Sequence, residues 1–420
     1  MTIGSVRGMK DILPPESAKW AALESAYLAY AARFGYREIR TPILEKTELF
    51  ARAVGETTDI VEKEMYSFTD RSGENLTMRP EGTAPVVRAL LANRKTFDEW
   101  PTRLCYSGPM FRHERPQKGR LRQFHQLGAE LFGTDSPYAD AEILAFLHGF
   151  LREVGLSGVS LEINSLGDPA CRPLYHRKLS DFLASREDRL CDDCRRRRSQ
   201  NPLRVLDCKS ERCVQATADA PSVLSALCDA CGAHFGTVEA ALHALGIPFS
   251  RNPRMVRGLD YYRRTTFEFV IPGMGAQNTV AAGGRYDGLA EMVGGKERVP
   301  AIGFAIGVER LLLLLGESGK AGAAADVFLV TSGERFLDEA FRWKMDLIGK
   351  GVRADMDYEG RSVKAQFRRA DRSGAGIVVI FGDAEDSRGA VVFRDMASGK
   401  QEEIPKDEAI LRLASLKKEE

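Results

Sequence analysis

The sequence predicts an α+β fold, with a mostly antiparallel sheet and flanking helices, a helical insertion, and a C-terminal α/β domain. The β-forming runs of the first three quarters of the chain are separated by long, unequal intervals, whereas a parallel sheet alternates strands and helices at a short, regular period. Residues 168–248 are helical in pattern, basic and rich in cysteine, which indicates an insertion between strands. Residues 316–325 are mostly glycine and alanine, which is typical of a linker, and a regular strand–helix alternation follows them.

The length of the chain agrees with this division, because 420 residues exceed what one hydrophobic core usually organises. We expect a sheet domain at residues 1–320 that contains the insertion 168–248. A linker at residues 321–326 and a second domain at residues 327–420 complete the predicted organisation.

The composition indicates a globular cytoplasmic protein. The net charge is only +1, so any polyanion must be met by local basic patches. The N-terminus carries charges and prolines in place of the apolar run of an export signal, and the longest apolar streak, Leu311 to Leu315, is far too short to span a membrane. We therefore expect no membrane partner, and we expect the eight cysteines to be thiols or metal ligands rather than disulfides.

The elements of the first domain follow from apolar spacing. Five aromatic or aliphatic residues recur at helical intervals after Pro14-Pro15, and this helix should end near Gly35: Trp20, Leu23, Tyr27, Tyr30 and Phe34. Residues 38–44 are predicted as one strand, with Pro42 best placed at an edge. Further strands are predicted at residues 104–107, 123–131, 266–271 and 280–282.

The second domain is predicted to be a compact βαβαβ unit. Its strands should lie at residues 327–330, 352–356 and 376–381, and its helices at residues 334–349 and 363–369. Two shorter strands and a charged helix should complete it.

A nucleotide, if it binds, must be held by side chains. The chain has neither the G-x-x-x-x-G-K-[ST] loop nor a G-x-G-x-x-G turn between a strand and a helix. Arginine forks pair well with phosphate oxygens, and the richest segment is 111–130. Arg112 and Glu114 should share one strand face, with a turn at 116–119 and an arginine, a phenylalanine and a glutamine on one face of the returning strand: Arg122, Phe124 and Gln126. The alternative is a solvated basic hairpin.

This segment resembles a known motif. Phe111-Arg-His-Glu114, a loop, and then Arg120 and Phe124 are similar to motif 2 of the class II aminoacyl-tRNA synthetases. The glycine-rich segment 303–311, which contains Arg310, resembles motif 3 of that class, and Pro42 after the first helix suits motif 1.

Three further peptides resemble the histidyl-tRNA synthetase family in particular. Arg257-Gly-Leu-Asp-Tyr-Tyr262 and Gly283-Gly-Arg-Tyr-Asp-Gly-Leu289 are similar to its two signature peptides, and residues 79–83 resemble its amino-group-binding loop. The resemblance covers nearly the whole chain in family order. It implies the class II antiparallel sheet and a C-terminal anticodon-binding domain.

The resemblance also implies an activity and its substrates. Histidine would be activated with ATP to the adenylate and transferred to the 3′ end of tRNA(His), with release of AMP and pyrophosphate. The partners are therefore L-histidine and tRNA(His), and the family functions as a homodimer. Mg²⁺ is expected with ATP, bridging phosphate oxygens, and no protein ligand for it can be named.

Site residues are implied position by position. The catalytic arginines are Arg112, Arg257 and Arg310. The ATP site comprises Arg112, Glu114, Arg120, Phe124 and Arg310. The histidine site comprises Glu81, Gly82, Thr83, Arg112, Gln126, Glu130, Arg257, Tyr261 and Tyr262. In that site Glu81, Thr83 and Gln126 should hold the α-amino group, and Glu130 and Tyr262 should contact the two imidazole nitrogens. Tyr261 and Tyr286 are walls of the pocket or, equally, core residues.

Two basic surfaces are predicted to meet tRNA. The loop residues Arg115, Gln117 and Lys118 should touch the acceptor end. A basic helix face in the second domain should also contact tRNA, and the alternative is that this face is merely solvated. Its residues are Arg361, Lys364, Arg368 and Arg369. Two rival functions are a regulatory paralogue of ATP phosphoribosyltransferase and a synthetase for another amino acid, such as proline or threonine.

The cysteines leave one question open. Cys191 and Cys194 form one C-x₂-C pair, and Cys228 and Cys231 form another, with Cys208 and Cys213 between them. Paired C-x₂-C is the arrangement of a structural zinc site, which would clip an insertion too small for a core of its own. The interval between the pairs is longer than usual, and free thiols remain the alternative.

Overall fold

The computed structural model describes residues 3–55, 58–97, 99–117, 119–272, 278–316 and 325–415, apart from the side chain of residue 200. Lys118 and most of the predicted linker lie outside these residues. The chain separates into two compact units, Met1–Gly319 and Lys320–Glu420. In the described part of the chain, no helix is both long enough and apolar enough to cross a membrane.

The first unit is organised by a large sheet. Its strands are β1 (Arg37–Glu38), β2 (Leu44–Lys46), β3 (Tyr66–Thr69), β4 (Asn75–Met78), β5 (Thr102–Phe111), β6 (Gln123–Phe132), β7 (Ser160–Ser165), β8 (Phe249–Arg251), β9 (Arg263–Val270), β10 (Thr279–Arg285) and β11 (Ala301–Gly307). The large sheet has the order β1-β5-β6-β11-β10-β9-β7-β8, and β2-β4-β3 form a small antiparallel sheet. Only the edge pairs β1–β5 and β7–β8 of the large sheet are parallel, which confirms the predicted mostly antiparallel sheet.

Helices flank this sheet. They are α1 (Glu16–Arg33), α2 (Thr47–Val54), α3 (Thr83–Ala92), α4 (Pro137–Glu153), α5 (Arg172–Ala184), α6 (Asp192–Gln200), α7 (Glu211–Ala216), α8 (Asp229–Ala244), α9 (Leu289–Met292) and α10 (Val308–Leu315). The apolar spacing of α1 places Trp20, Leu23 and Tyr27 in the core. Tyr27 packs edge-to-face on Phe150 of α4, with ring centroids 5.4 Å apart. Helices α5 to α8 make up the predicted helical insertion.

The single strand predicted at residues 38–44 is wrong. β1 ends at Glu38 and β2 begins at Leu44, and the two strands belong to different sheets. Pro42 has no N–H to continue a ladder. The crossing segment is instead bonded by Arg79, whose backbone N–H donates to the carbonyl of Ile43 and whose guanidinium donates to the carbonyl of Thr41, each at 2.9 Å.

The second unit is a βαβαβ unit with an antiparallel extension. Its strands are β12 (Val327–Thr331), β13 (Ala354–Met356), β14 (Ile377–Phe381), β15 (Ala390–Asp395) and β16 (Gln401–Pro405), in the order β13-β12-β14-β15-β16. The first three are parallel and the last two join antiparallel. Its helices are α11 (Leu337–Gly349), α12 (Val363–Ser373), α13 (Asp383–Asp386) and α14 (Lys406–Ser415). The predicted C-terminal α/β fold is confirmed.

Candidate functional site

Two adjoining cavities lie at the middle strands of the large sheet. The tyrosine cavity, of about 190 Å³, is lined by eight of the predicted site residues: Glu81, Thr83, Arg112, Gln126, Arg257, Tyr261, Tyr262 and Arg310. The Phe124 cavity, of about 200 Å³, is lined by all five residues predicted for ATP: Arg112, Glu114, Arg120, Phe124 and Arg310. Arg112 and Arg310 line both. The fold therefore gathers residues that are nearly 230 positions apart in the chain around one pair of cavities.

Glu81 is fixed at the start of helix α3. Its two carboxylate oxygens accept hydrogen bonds from the backbone N–H groups of Thr83 and Ala84, each at 2.8 Å, and the Tyr261 hydroxyl donates to Oε2 at 3.4 Å. Burial raises the pKa of Glu81, although these N–H donors lower it. The helix start thus presents an oriented, buried carboxyl group to the tyrosine cavity.

Gln126 on β6 contributes an acceptor to the same cavity. Its Oε1 is buried and accepts no hydrogen bond from any described residue. An unpaired buried acceptor costs free energy, which a ligand N–H in the cavity would recover.

Glu130 lies behind the tyrosine cavity and is fully buried. Its Oε1 accepts from the hydroxyls of Thr83 at 2.8 Å and Tyr106 at 3.4 Å, and its Oε2 accepts from the hydroxyl of Tyr286. Burial raises the pKa of Glu130 to about 8, in spite of these donors. Glu130 does not line either cavity, and its two oxygens are already occupied by three hydroxyl donors.

Two glycines make room for this arrangement. A Cβ at Gly82 would overlap the Tyr106 ring, and a Cβ at Gly303 would overlap the Glu130 carboxylate. Gly82, predicted as part of the histidine site, therefore leaves room for the Tyr106 ring.

The raised pKa of Glu130 predicts a pH-dependent stability. Between its usual value of 4.5 and about 8, the unfolded chain loses the Glu130 proton while the folded chain keeps it, so the free energy of unfolding falls as the pH rises. Above both values the effect is constant. Glu130→Gln cannot titrate, so we expect the variant to gain stability over the original chain from pH 4.5 to 8. Urea denaturation at a series of pH values measures this, and a difference that stays flat with pH would contradict it.

Arg257 reaches the tyrosine cavity from the start of its signature peptide. Its Nη1 donates to Glu268 on β9, its guanidinium carbon lies 5.6 Å from the centroid of the Tyr262 ring, and its Nε is buried without a partner among the described residues. Glu268 also accepts from the hydroxyl of Thr279 at 2.9 Å. The sequence reasoning missed Glu268, whose only signal is a lone carboxylate within a β-forming run.

The Phe124 cavity is cationic. Arg112 donates from Nε to the carbonyl of Pro80 at 2.8 Å, and its guanidinium carbon lies 5.2 Å from the centroid of the Phe124 ring. Arg310 donates to the carbonyl of Thr279, and burial, with Arg120 nearby, lowers its pKa. Crowded arginines favour an anionic ligand that would neutralise them.

The predicted strand face for Arg112 and Glu114 is wrong. β5 ends at Phe111, and the residues beyond it are irregular, with the Arg112 N–H donating to the carbonyl of Arg122 at 2.8 Å. Glu114 pairs with Arg120 across this loop. An isolated bridge between Gln117 and Arg120 forms the turn.

The residues predicted to meet tRNA lie in two places. Arg115 and Gln117 are exposed in the loop after β5. On helix α12, Lys364 and Arg368 are exposed, whereas Arg369 forms an ion pair with Asp357 at 2.6 Å. Arg361 forms an ion pair with Glu359 at 2.6 Å. Half of the predicted basic face is therefore internally neutralised.

Tyr286 and Arg285 of the second signature peptide have different surroundings. The Tyr286 hydroxyl binds Glu130, as described above, so it holds the acceptor behind the tyrosine cavity. Arg285 is fully buried and pairs with Asp140 and, at 3.0 Å, with Asp287. His234 joins Asp140 at 2.8 Å. This Arg285 network reaches neither cavity and holds the sheet to helix α4.

The two C-x₂-C pairs do not meet each other, contrary to the four-thiolate set considered from the sequence. Each has other partners, and two groups result. The first cysteine cluster is Cys191, Cys194, Cys208 and Cys213. The second cysteine cluster is Asp168, Cys171, Cys228 and Cys231. Asp168 and Cys171 were not predicted as ligands. They are separated by two residues, as are the cysteines of each C-x₂-C pair, but they lie far before the second pair in the chain.

Comparisons with known proteins point to one family. A family model described as histidyl-tRNA synthetase matches residues 8–311, and one described as an anticodon binding domain matches residues 326–416. The chain is 49% identical over 414 residues to the histidine–tRNA ligase of Trichlorobacter lovleyi, covering 99% of this chain and 98% of that one. It is 51% identical over 403 residues to that of Geobacter sulfurreducens, covering 96% and 97%. The solved structure of apo histidyl-tRNA synthetase from S. aureus matches with a TM-score of 0.84 at 35% identity, covering 98% of this chain and 100% of that one.

Proposed function

The chain belongs to the histidyl-tRNA synthetase family and is an ATP-dependent ligase that joins histidine to tRNA, and we propose that its two adjoining cavities hold the two small substrates. Histidine occupies the tyrosine cavity and ATP occupies the Phe124 cavity. The observation that carries this proposal is that Arg112 and Arg310 line both cavities, with Arg257 on the first. A carboxylate in one cavity and a phosphate in the other would meet at these guanidinium groups.

The geometry suits attack of the histidine carboxylate on the α-phosphorus of ATP. The new bond joins a carboxylate oxygen to phosphorus, the bond to the bridging oxygen breaks, and pyrophosphate leaves. A carboxylate is already an anionic nucleophile, so no general base is required. Catalysis then has two contributions. The site aligns the two reacting groups, and Arg112 and Arg257 neutralise the charge that builds on the phosphoryl oxygens. In the second step the terminal ribose hydroxyl of tRNA attacks the adenylate carbonyl, and AMP leaves.

The tyrosine cavity offers matching groups for histidine. The Glu81 carboxyl group, the Thr83 hydroxyl and the unpaired Gln126 oxygen are acceptors for an ammonium. Tyr262 would contact one imidazole nitrogen. Glu130, held by Tyr286 behind the cavity wall, would contact the other once one of its hydroxyl donors turns aside. Apolar amino acids of similar shape would leave these buried polar groups unpaired, which is the strong form of discrimination.

The Phe124 cavity offers matching groups for ATP. The Phe124 ring would stack on adenine, and Glu114 would accept from its exocyclic amine. Arg310 would pair with the γ-phosphate. The ion pair between Arg120 and Glu114 would open as Arg120 turns to the triphosphate and Glu114 to the base.

Mg²⁺ accompanies ATP in this proposal. Besides Glu114, which is assigned to adenine, the wall of the Phe124 cavity carries the carboxylate of Glu309, an oxygen donor of the kind that Mg²⁺ accepts. The remaining ligands would be phosphate oxygens and water. When bound, the ion would neutralise negative charge on the phosphate oxygens.

The remaining parts of the proposal concern the whole assembly. Residues 1–320 form the catalytic domain, 321–326 the linker, and 327–420 the anticodon-binding domain for tRNA(His). The loop that contains Arg115, Gln117 and Lys118 touches the acceptor end. The chain works as a homodimer in the cytoplasm.

The two rival functions are not favoured. A regulatory paralogue of ATP phosphoribosyltransferase would not need the cavity-lining arginines Arg112, Arg257 and Arg310, all of which are in place here. A synthetase for proline or threonine would not need both the Tyr262 hydroxyl and the Glu130 carboxyl group.

Two substitutions test the assignment of substrates to cavities, and each is the control of the other. Phe124→Leu removes the stacking ring from one cavity and should raise the Kd for ATP by about tenfold while histidine binds as before. Tyr262→Phe removes one hydroxyl from the other cavity and should raise the Kd for histidine by about tenfold while ATP binds as before. Isothermal titration of each variant with each ligand measures all four constants. Either variant weakening the opposite ligand would refute the assignment.

A further inference from the structure

The insertion 168–248 contains every cysteine of the chain except Cys105, and these cysteines form the two clusters defined above. All seven thiols are free, and each cluster combines buried and half-buried members. Within a cluster, the four potential ligand atoms all lie within 4.8 Å of one another. Neither cluster belongs to the site described for histidine and ATP.

The sulfur separations fit a bound ion better than a disulfide. In the first cysteine cluster the sulfurs of Cys191 and Cys208 are 3.9 Å apart, and in the second those of Cys171 and Cys228 are 3.8 Å apart. Tetrahedral zinc with Zn–S bonds of about 2.3 Å places its sulfur ligands about 3.8 Å from each other. A disulfide requires about 2.0 Å. These two separations, one in each cluster, therefore match the edge of a tetrahedron around one ion, and the remaining ligand atoms of each cluster lie within 4.8 Å of one another.

Both C-x₂-C pairs have the same local backbone. Cys191 precedes helix α6 with φ −72° and ψ 164°, and Cys228 precedes helix α8 with φ −71° and ψ 163°. In each pair the second cysteine follows in the first turn of the helix. A helix N-terminus favours the negative thiolate, which is the form that binds metal.

Backbone N–H groups are also directed at the sulfurs. The N–H of Cys191 donates to the sulfur of Cys213 at 3.2 Å, and that of Ser210 to the sulfur of Cys208 at 3.5 Å. In the second cluster, the Asp168 N–H donates to the sulfur of Cys171 at 3.2 Å. Such donors stabilise ligand charge around a metal.

We propose that the insertion binds two structural zinc ions, one held by four thiolates in the first cysteine cluster and one by three thiolates and a carboxylate in the second. Soft thiolate ligands in a tetrahedral arrangement select zinc among the common divalent ions. Four protein ligands leave no open position, so each site is structural rather than catalytic. An iron–sulfur cluster would need its thiolates further apart, because several metal atoms and sulfides must fit between them.

The second zinc ion ties the two ends of the insertion together. Asp168 and Cys171 lie at the start of helix α5, and Cys228 and Cys231 lie at the start of helix α8, which closes the insertion. The first zinc ion joins the start of α6 to Cys213 on α7. A small helical segment with little core of its own gains stability from such clips.

The insertion, held together by the two zinc ions, also supports the peptide 257–262. Asn201 donates to Asp260 at 3.1 Å, Arg204 donates to the carbonyl of Gly258 at 3.0 Å, and Arg172, next to Cys171, donates to the carbonyl of Tyr262. Loss of zinc should therefore weaken histidine binding as well as stability. This last consequence rests on the proposed function, but zinc binding itself does not.

Metal analysis of the full chain, purified without chelator, tests the proposal. We expect two zinc ions per chain. The double variants Cys208→Ser/Cys213→Ser and Cys228→Ser/Cys231→Ser should each retain one. The matched control Cys105→Ser removes a buried cysteine on β5, outside both clusters, and should retain two.

A second measurement on the unaltered chain stands independently of how the variants fold. The chain is stripped of metal under reducing conditions and titrated with Co²⁺, and two equivalents should produce thiolate-to-cobalt charge-transfer bands. No zinc as purified together with no such bands would overturn the proposal, as would a disulfide within either C-x₂-C pair. If only one zinc ion is found per chain, the double variant that still retains that ion marks the empty site, and the proposal is overturned for that site. Since none of these readouts depends on aminoacylation, their failure is distinguishable from a failure of the proposed function.

Discussion

Replacement of Arg257 by alanine is expected to abolish nearly all histidine-dependent ATP–pyrophosphate exchange while ATP still binds. Arg257 lines the tyrosine cavity but not the Phe124 cavity, so the groups proposed to hold ATP remain. Its guanidinium is held by Glu268 and faces the Tyr262 ring, and under the proposed function it would neutralise charge that develops on the α-phosphate. Removal of one positioned donor of this kind costs about 10²- to 10³-fold in kcat, or about 3–4 kcal/mol of transition-state stabilisation.

The control is the same change at an arginine outside the site. Arg251 pairs with Glu239, its side chain is 60% exposed, and Arg251→Ala should leave exchange unaltered. ATP binding to Arg257→Ala, measured by titration, should be close to that of the unaltered chain. Exchange at a near-normal rate in Arg257→Ala would show that this arginine is not catalytic.

Replacement of Arg285 by leucine is expected to cost about 3–5 kcal/mol of unfolding free energy, because it removes the arginine from the buried Asp140 and one of the two arginines from Asp287. The Arg285 side chain is fully buried, as is Asp140, and Asp287 is almost so. The same guanidinium also donates to the carbonyls of Thr134 at 3.0 Å and Ser136 at 3.2 Å, and these two hydrogen bonds would be lost too. Urea denaturation at neutral pH measures the loss.

Arg298 provides a matched control for Arg285, since it also pairs with Asp287 at 3.0 Å but its side chain is 49% exposed. Arg298→Ala should cost less than about 1 kcal/mol. Acidification supplies a second check. Burial alone would raise the pKa of Asp140, but Arg285 and His234 hold it below its usual value of 3.8, so the stability it confers is lost as the pH falls through the lower folded pKa. Equal losses for both variants would contradict a special role for the buried network.

Much of the fold could be predicted because local patterns carry it. The helical spacing of Trp20 to Phe34 and the strand–helix alternation after residue 327 are each visible within a short window of sequence. The break between β1 and β2 could not be predicted in the same way. It depends on Arg79, which lies about forty positions further along the chain. A partner that is distant in sequence leaves no periodicity to detect.

The candidate site shows the same difference between features that the sequence could predict and features that it could not. The resemblance to family motifs was enough to select most of the charged and aromatic residues that line the two cavities, although Gly82 and Glu130, selected in the same way, line neither. Contacts between individual side chains were not accessible, as with Arg257 and Glu268 or Tyr286 and Glu130. The cysteines show the limit most clearly. Equal C-x₂-C spacing suggested that the two pairs form one metal site together, whereas the fold brings each pair close to other potential ligands of the insertion.

The two arginines shared by the cavities, Arg112 and Arg310, have a consequence for how each substrate affects the binding of the other. A guanidinium fork that contacts one anion has fewer donors left for another, so under the proposed assignment of the cavities we expect histidine and ATP to be thermodynamically coupled ligands. By linkage, whatever factor ATP imposes on the affinity for histidine, histidine imposes on the affinity for ATP. Reaction and cooperativity between the substrates thus have a common origin in these two side chains.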